Sequence, residues 1–256
     1  MSTSLTFDEH LAAVERSGGR LATYARQAGL GAPVPTCPPW GVAELVAHQA
    51  MVHRWSAAHI CGGNPDVEPS ATEILAADSD LLAFYDEGLG RLVAALRDAP
   101  PDLEALTFLK DPPAPREFWA RRQAHETTIH MVDAHAALLG RPPSTDEAGI
   151  PPGFAADGVD ELLRGFFTRG KSKLFEGKPF VVVVAPDDVE RRWVVRVDER
   201  LTVDPGDDDV DDADARLTGS AAGLYLALWN RGDHIDVHGR LDVLERWHEV
   251  QRVTWG

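Results

Sequence analysis

The chain has 256 residues, 44% of them hydrophobic, which is enough to build the core of one large or two small domains. Its 41 acidic residues outnumber 25 basic ones, and the resulting formal charge of −16 excludes a nucleic-acid partner, because it repels a phosphate backbone. No window approaches the roughly 18 apolar residues of a membrane span, and MSTSLTFDEHLAAVE lacks the basic-then-apolar order of a secretion signal, so a cytoplasmic globular protein is expected.

In chain order, helical runs come first. Thr6-Phe-Asp-Glu9 has capping-box spacing ahead of a stripe through Leu11, Val14, Leu21 and Tyr24. After Pro38-Pro39, Gly41 and Glu44 stand at N-cap and N3 spacing before Leu45, His48, Val52 and Trp55. Ser70-Ala-Thr-Glu73 opens a third run, read as continuous through Ile74, Leu81, Phe84, Leu92 and Leu96. The fourth follows DPPAP and ends at Gly140-Arg-Pro-Pro. Helices of this length predict a four-helix bundle over residues 1–141.

The segment 142–153, PPSTDEAGIPPG, reads as a linker, and residues 154–256 as a small α+β domain. That domain is expected to hold a helical run from Val159 to Phe167 and short strands at 180–184, 192–197 and 200–203. A helix from Ser220 to Asn230, a strand in HIDVHG and a last helix from Leu241 to about Val250 follow. The loop DPGDDDVDDADA, 204–215, lacks the glycine and final glutamate of a calcium loop, and its like charges predict extended, solvated chain.

The stretch ARRQAHETTIHMVDAH, 120–135, nearly spells the HExxH of zinc proteases. His125 and His130 are five apart, however, about 140° round a helix, and cannot grip one ion. Glu126 and His130 are four apart and share a face with Trp119, Gln123 and Asp133. His125 falls on the packed stripe and is expected in the core or behind the ligands, while His135 is expected at the surface. A third ligand must come from another helix. His48 faces inward on the second run, whereas His53 is rotated by about 140° and His59 lies about 16 Å further along. His48, Glu126 and His130 would leave a coordination position open, as catalytic zinc requires. On spacing alone, a salt-bridged or satisfied core turn is the commoner reading of such a segment.

The runs CPPWGVAELVAHQAMVHRW and RRQAHETTIHMVDAHAALLG resemble the paired signatures of the mycothiol-dependent maleylpyruvate isomerase family, among the DinB-like four-helix metalloenzymes. The tail from ADARLTG to LERW is similar to that family's C-terminal domain, which is like sterol-carrier-protein folds. The sequence departs at Gly41, where relatives commonly carry Ser or Thr, and at Met131-Val132, where a more polar pair is common.

The resemblance implies that His48, Glu126 and His130 bind Zn2+ or another divalent metal. It also implies a soluble thiol, mycothiol, as the cofactor. Zinc would lower the thiol pKa, and the thiolate would attack a small, maleylpyruvate-like electrophile. In an isomerase the thiolate adds to a cis double bond, the new single bond rotates and the thiol leaves; in an S-transferase the adduct stays.

Asp133 is then expected to orient an imidazole or a substrate proton, with a solvated carboxylate as the alternative. Arg121 and Arg122 are candidates to hold a substrate or cofactor carboxylate, with at most one reaching the pocket and a solvated face as the alternative. Trp40 and Trp55 flank His48 as core residues, Trp55 being a candidate pocket wall. Cys37 and Cys61 lie off the His48 face, so the nucleophilic thiol is expected from the cofactor. Two rival readings are a non-catalytic small-molecule or lipid binder with a structural or vestigial metal, and a thiol-independent metal hydrolase using Asp133 or Glu44 as base.

Overall fold

A computed structural model describes residues 5–77, 80–205, 210 and 212–253. These form two compact units: Thr6–Thr107 with Pro113–Pro143, and Leu5 and Phe108–Pro112 with Ser144–Gly256, each as far as it is described. No helix among the described residues is long and apolar enough to cross a membrane.

The first unit is helical. Helix α1, Phe7–Ala28, starts at a complete capping box: the Thr6 hydroxyl accepts the Glu9 N–H at 3.3 Å, and the Glu9 carboxylate accepts the Thr6 N–H at 2.7 Å. Helix α2, Val42–Ile60, keeps half of that device, since Gly41 has no side chain but donates its N–H to Glu44 Oε2 at 2.9 Å. The third run is not continuous. Helix α3, Ala71–Ala76, stops where Ala77 turns extended at φ −73°, ψ 132°. Helix α4, Leu81–Asp98, restarts on Asp80, whose Oδ1 accepts the N–H groups of Leu82 and Ala83 at 3.1 Å. Helix α5, Pro115–Leu139, has proline in its first turn and ends on Gly140 in the left-handed region, φ 69°.

Helix α1 packs chiefly on α5 and α2 on α4, with α2 also meeting α5. Helix α5 is the interior member, buried at every position from Phe118 to Ala137. That corrects the expectation for His135, which is buried with its ring stacked 4.3 Å from that of Tyr24. It equally rules out a solvated face for Arg121 and Arg122, both at most 1% exposed. A helix enclosed on all sides shows no single apolar stripe, so its polar residues read as surface although they are core.

The second unit begins with helices α6, Thr145–Ala148, capped by Ser144, and α7, Pro152–Asp160. Helix α7 starts seven residues before the expected Val159, because Pro152 suits a first turn, and it runs on into a π-type turn at Glu161–Phe166. Strands β1 (Phe180–Pro186), β2 (Trp193–Val197), β3 (Thr202–Pro205), β4 (Ala215–Gly219) and β5 (Asp236–Gly239) form one sheet in the order β3-β2-β1-β4-β5. Only the central β1–β4 pair is parallel. Strand β4 was not expected; Ala215 and Leu217 are buried in alternation with Arg216 and Thr218, too short a pattern to read as period two.

Helix α8, Ala221–Leu228, is wholly buried and touches β1 and β4, while α9, Val243–Val250, inserts Val243 and Trp247 into the core. Positions 206–209 and 211 of the expected acidic loop lie outside the described residues.

Asp160, fully buried at the end of α7, accepts the indole N–H of Trp193 at 3.0 Å and an Arg164 N–H at 3.4 Å. Asp160→Ala leaves both donors without this acceptor and is expected to cost roughly 2–3 kcal/mol. Urea unfolding followed by tryptophan emission measures it.

Candidate metal centre

The α2–α5 interface brings together three side chains. His48 stands on the second turn of α2, and Glu126 and His130 stand one turn apart on α5. Their donor atoms all lie within 4.8 Å of one another. His48 Nε2 is 3.5 Å and His130 Nε2 3.3 Å from the same oxygen, Glu126 Oε1. The two imidazoles meet edge to face with ring centroids 5.0 Å apart.

Each side chain is oriented by a further contact. Arg122, one turn before Glu126, donates Nη2–H to Glu126 Oε2 at 3.0 Å, which turns the other oxygen to the histidines. His130 Nδ1 is 2.9 Å from Asp133 Oδ2, and that carboxylate requires a proton on Nδ1, so Nε2 is the nitrogen turned to Glu126. Asp133 Oδ1 accepts the Thr36 hydroxyl at 2.6 Å. Asp133 is fully buried, so the solvated alternative is overturned. Trp40 covers the pair from the chain before α2, its ring 4.9 Å from that of His48 and 6.1 Å from that of His130.

The residues fit a metal. His48 Nε2 and Glu126 Oε1 are buried without a hydrogen-bond partner, a costly arrangement unless something else satisfies both. Tetrahedral ligands about 2.05 Å from a zinc ion lie about 3.3 Å from one another. That matches the 3.5 and 3.3 Å separations between the imidazole nitrogens and the shared carboxylate oxygen.

The charges are arranged to match. Burial opposes ionisation of Glu126, but the facing imidazoles of His130 and His48 and the Arg122 guanidinium hold its carboxyl well below the usual range. Burial also works against a charged His130, yet its bonds to Asp133 and Glu126 win and push it up to about 9. Beneath the centre, His53 Nε2 lies 3.0 Å from the Thr127 hydroxyl and 2.8 Å from Gln49 Nε2, and burial holds the ring down at about 3, so it stays neutral.

The remaining sequence candidates lie elsewhere. His125 is fully buried beside His10, with ring centroids 6.2 Å apart. Arg121 is half a turn round α5 from His130 by helical geometry. Trp55, two turns beyond His48 on α2, meets the rings of His59 and Trp119 at 4.4 and 5.4 Å, while the Trp40 ring lies 4.9 Å from that of His48. Thr36 escaped sequence reasoning: it sits in irregular chain 97 positions from Asp133, and no periodicity marks it.

Two family models match the chain: the mycothiol maleylpyruvate isomerase N-terminal domain over residues 11–135, and the MDMPI C-terminal domain over residues 153–246. Among solved structures, a crystal structure of the mycothiol-dependent maleylpyruvate isomerase shares 20% sequence identity, with a TM-score of 0.61. A histidine-to-alanine mutant of that isomerase shares 19%, again with a TM-score of 0.61. Each alignment covers 93% of this chain and 96% of the other, and likeness at this identity shows the fold. No curated protein matches this chain.

A metal ligand must be an unprotonated imidazole, so uptake has to displace the proton His130 holds up to about 9. Metal affinity is therefore expected to fall about tenfold per unit as pH drops below that value. Calorimetry at pH 7 in buffers of different ionisation enthalpy should show about one proton released per ion. In the metal-free protein the sign is opposite: the stability His130 contributes is complete below 6.5 and is lost as pH rises through about 9.

Proposed function

The chain belongs to the mycothiol maleylpyruvate isomerase family, and on that premise we propose that it is a metal-dependent isomerase that uses mycothiol to convert a small cis-alkene electrophile of the maleylpyruvate type. The observation that carries the reading is the buried, unpartnered pair of His48 Nε2 and Glu126 Oε1, with His130 Nε2 against the same oxygen. His48, Glu126 and His130 would hold Zn2+ or another divalent ion. When bound, that ion supplies the Lewis acidity that lets a thiol ionise at neutral pH. The substrate reaction balances without a redox partner: a C–S bond forms on addition, the former double bond turns, and the same C–S bond breaks.

The chain's own groups prepare the place for this. Arg122 keeps the second oxygen of Glu126 occupied, so a single oxygen faces the imidazoles. Asp133 keeps the His130 proton on Nδ1. Trp40 excludes water from the face of both imidazoles it covers, which strengthens electrostatic contacts there. Neither cysteine is in the ligand set, Cys61 being exposed on the residue after α2, and this reading takes the thiol from a soluble cofactor. An S-transferase differs only in keeping the adduct.

A thiol-independent hydrolase is less well supported, because both candidate bases are engaged. Glu44 caps α2, and Asp133 accepts from His130 and Thr36. Metal analysis of protein purified without chelator is expected to give about one divalent ion per chain. Turnover of maleylpyruvate should require mycothiol, and Glu126→Gln should abolish both metal binding and turnover. Stoichiometric metal with no thiol-dependent reaction would favour a non-catalytic binder, and hydrolysis without thiol would favour the hydrolase.

A further inference from the structure

We propose that Thr36 is a positioning residue of the metal centre, acting through Asp133 to fix the tautomer and direction of the His130 imidazole. The inference rests on reading His48, Glu126 and His130 as metal ligands. Its own ground is a linear chain of contacts: Thr36 Oγ1–H to Asp133 Oδ1 at 2.6 Å, Asp133 Oδ2 to His130 Nδ1 at 2.9 Å, then His130 Nε2 at 3.3 Å from Glu126 Oε1. A buried carboxylate bonded at both oxygens is held against rotation about its Cβ–Cγ bond, and Thr36 holds Oδ1 while the imidazole holds Oδ2.

The chain that carries Thr36 is itself pinned. Val42 N–H donates to Ala32 at 2.9 Å and Ala43 N–H to Leu30 at 3.0 Å, tying the segment to the start of α2. Within it, Val34 N–H donates to Trp40 at 2.9 Å, Cys37 N–H to Val34 at 3.1 Å and Trp40 N–H to Cys37 at 3.0 Å. One short, internally bonded segment thus sets both the hydroxyl behind His130 and the indole over its ring. Because the segment is tied to the first turns of α2, it also fixes His130 on α5 relative to the helix that bears His48.

Thr36→Val removes the hydroxyl and keeps the shape, and Thr36→Ser keeps the hydroxyl. Zinc affinity, by competition with a chromophoric chelator, is expected to fall roughly tenfold in Thr36→Val, the lower end for a group outside the ligands themselves, and to recover in Thr36→Ser. Nitrogen NMR of the His130 ring in metal-free protein well above about pH 9, where the ring is neutral, should show the Nδ1–H tautomer as the sole form in the wild type and in Thr36→Ser, and a mixture in Thr36→Val.

In an Asp133→Asn background, Thr36→Val should have no further effect on zinc affinity. Wild-type affinity with an unchanged tautomer in Thr36→Val overturns the inference, as does a loss that persists undiminished beside Asp133→Asn. If Thr36→Val does not fold, Thr36→Ala, which also removes the hydroxyl, is measured with and without Asp133→Asn against the same two criteria. A wild-type protein that binds no zinc removes the metal reading itself, a distinct result.

Discussion

The carboxylate of Glu126 is the constraint around which the first unit is organised. An ionised carboxyl group 3% exposed cannot stand alone in a helical core. One oxygen takes the Arg122 guanidinium from the preceding turn, and the other is left to two imidazoles from two helices. Close approach of α2 to α5 is what brings His48 there, and full enclosure of α5 is what keeps water away. The polar groups around the centre are therefore neither surface nor ordinary core. They are a network whose last members remain unsatisfied by protein alone.

Much of this was legible from residue spacing. Glu126 and His130 at i and i+4, with Arg122 four residues before, define one face of a helix whatever packs on it. His48 against His53 was a choice between two faces, made on the face His48 shares with Glu44, Leu45, Val52 and Trp55, and His48 Nε2 lies 3.5 Å from Glu126 Oε1. Placing the fourth run between prolines and Gly140 was likewise a matter of local chemistry.

What stayed hidden depends on tertiary context. The burial of His135 against Tyr24 and of both arginines follows from α5 being enclosed on every side, which no period in its own sequence announces. Asp80 competes as a helix start only because Ala77 leaves the helix before it. Strand β4 exists because β1 offers it a partner along one edge and β5 closes the other. Thr36 is the clearest case. A hydroxyl in irregular chain becomes part of the centre only when the helices are assembled, since its partner is 97 positions away.

Four of the groups described above, Arg122, Glu126, His130 and Asp133, ride on the single unbroken helix Pro115–Leu139. Adding or removing one residue anywhere between them would swing everything downstream by about 100° and shift it by about 1.5 Å, splitting the set beyond repair by side-chain rotation. Lineages of this protein can therefore drift by substitution through that stretch but not by insertion or deletion. Length variation is tolerable instead in the irregular chain over 100–107, before Phe108–Pro112 joins the second unit, where an indel resets no helical phase.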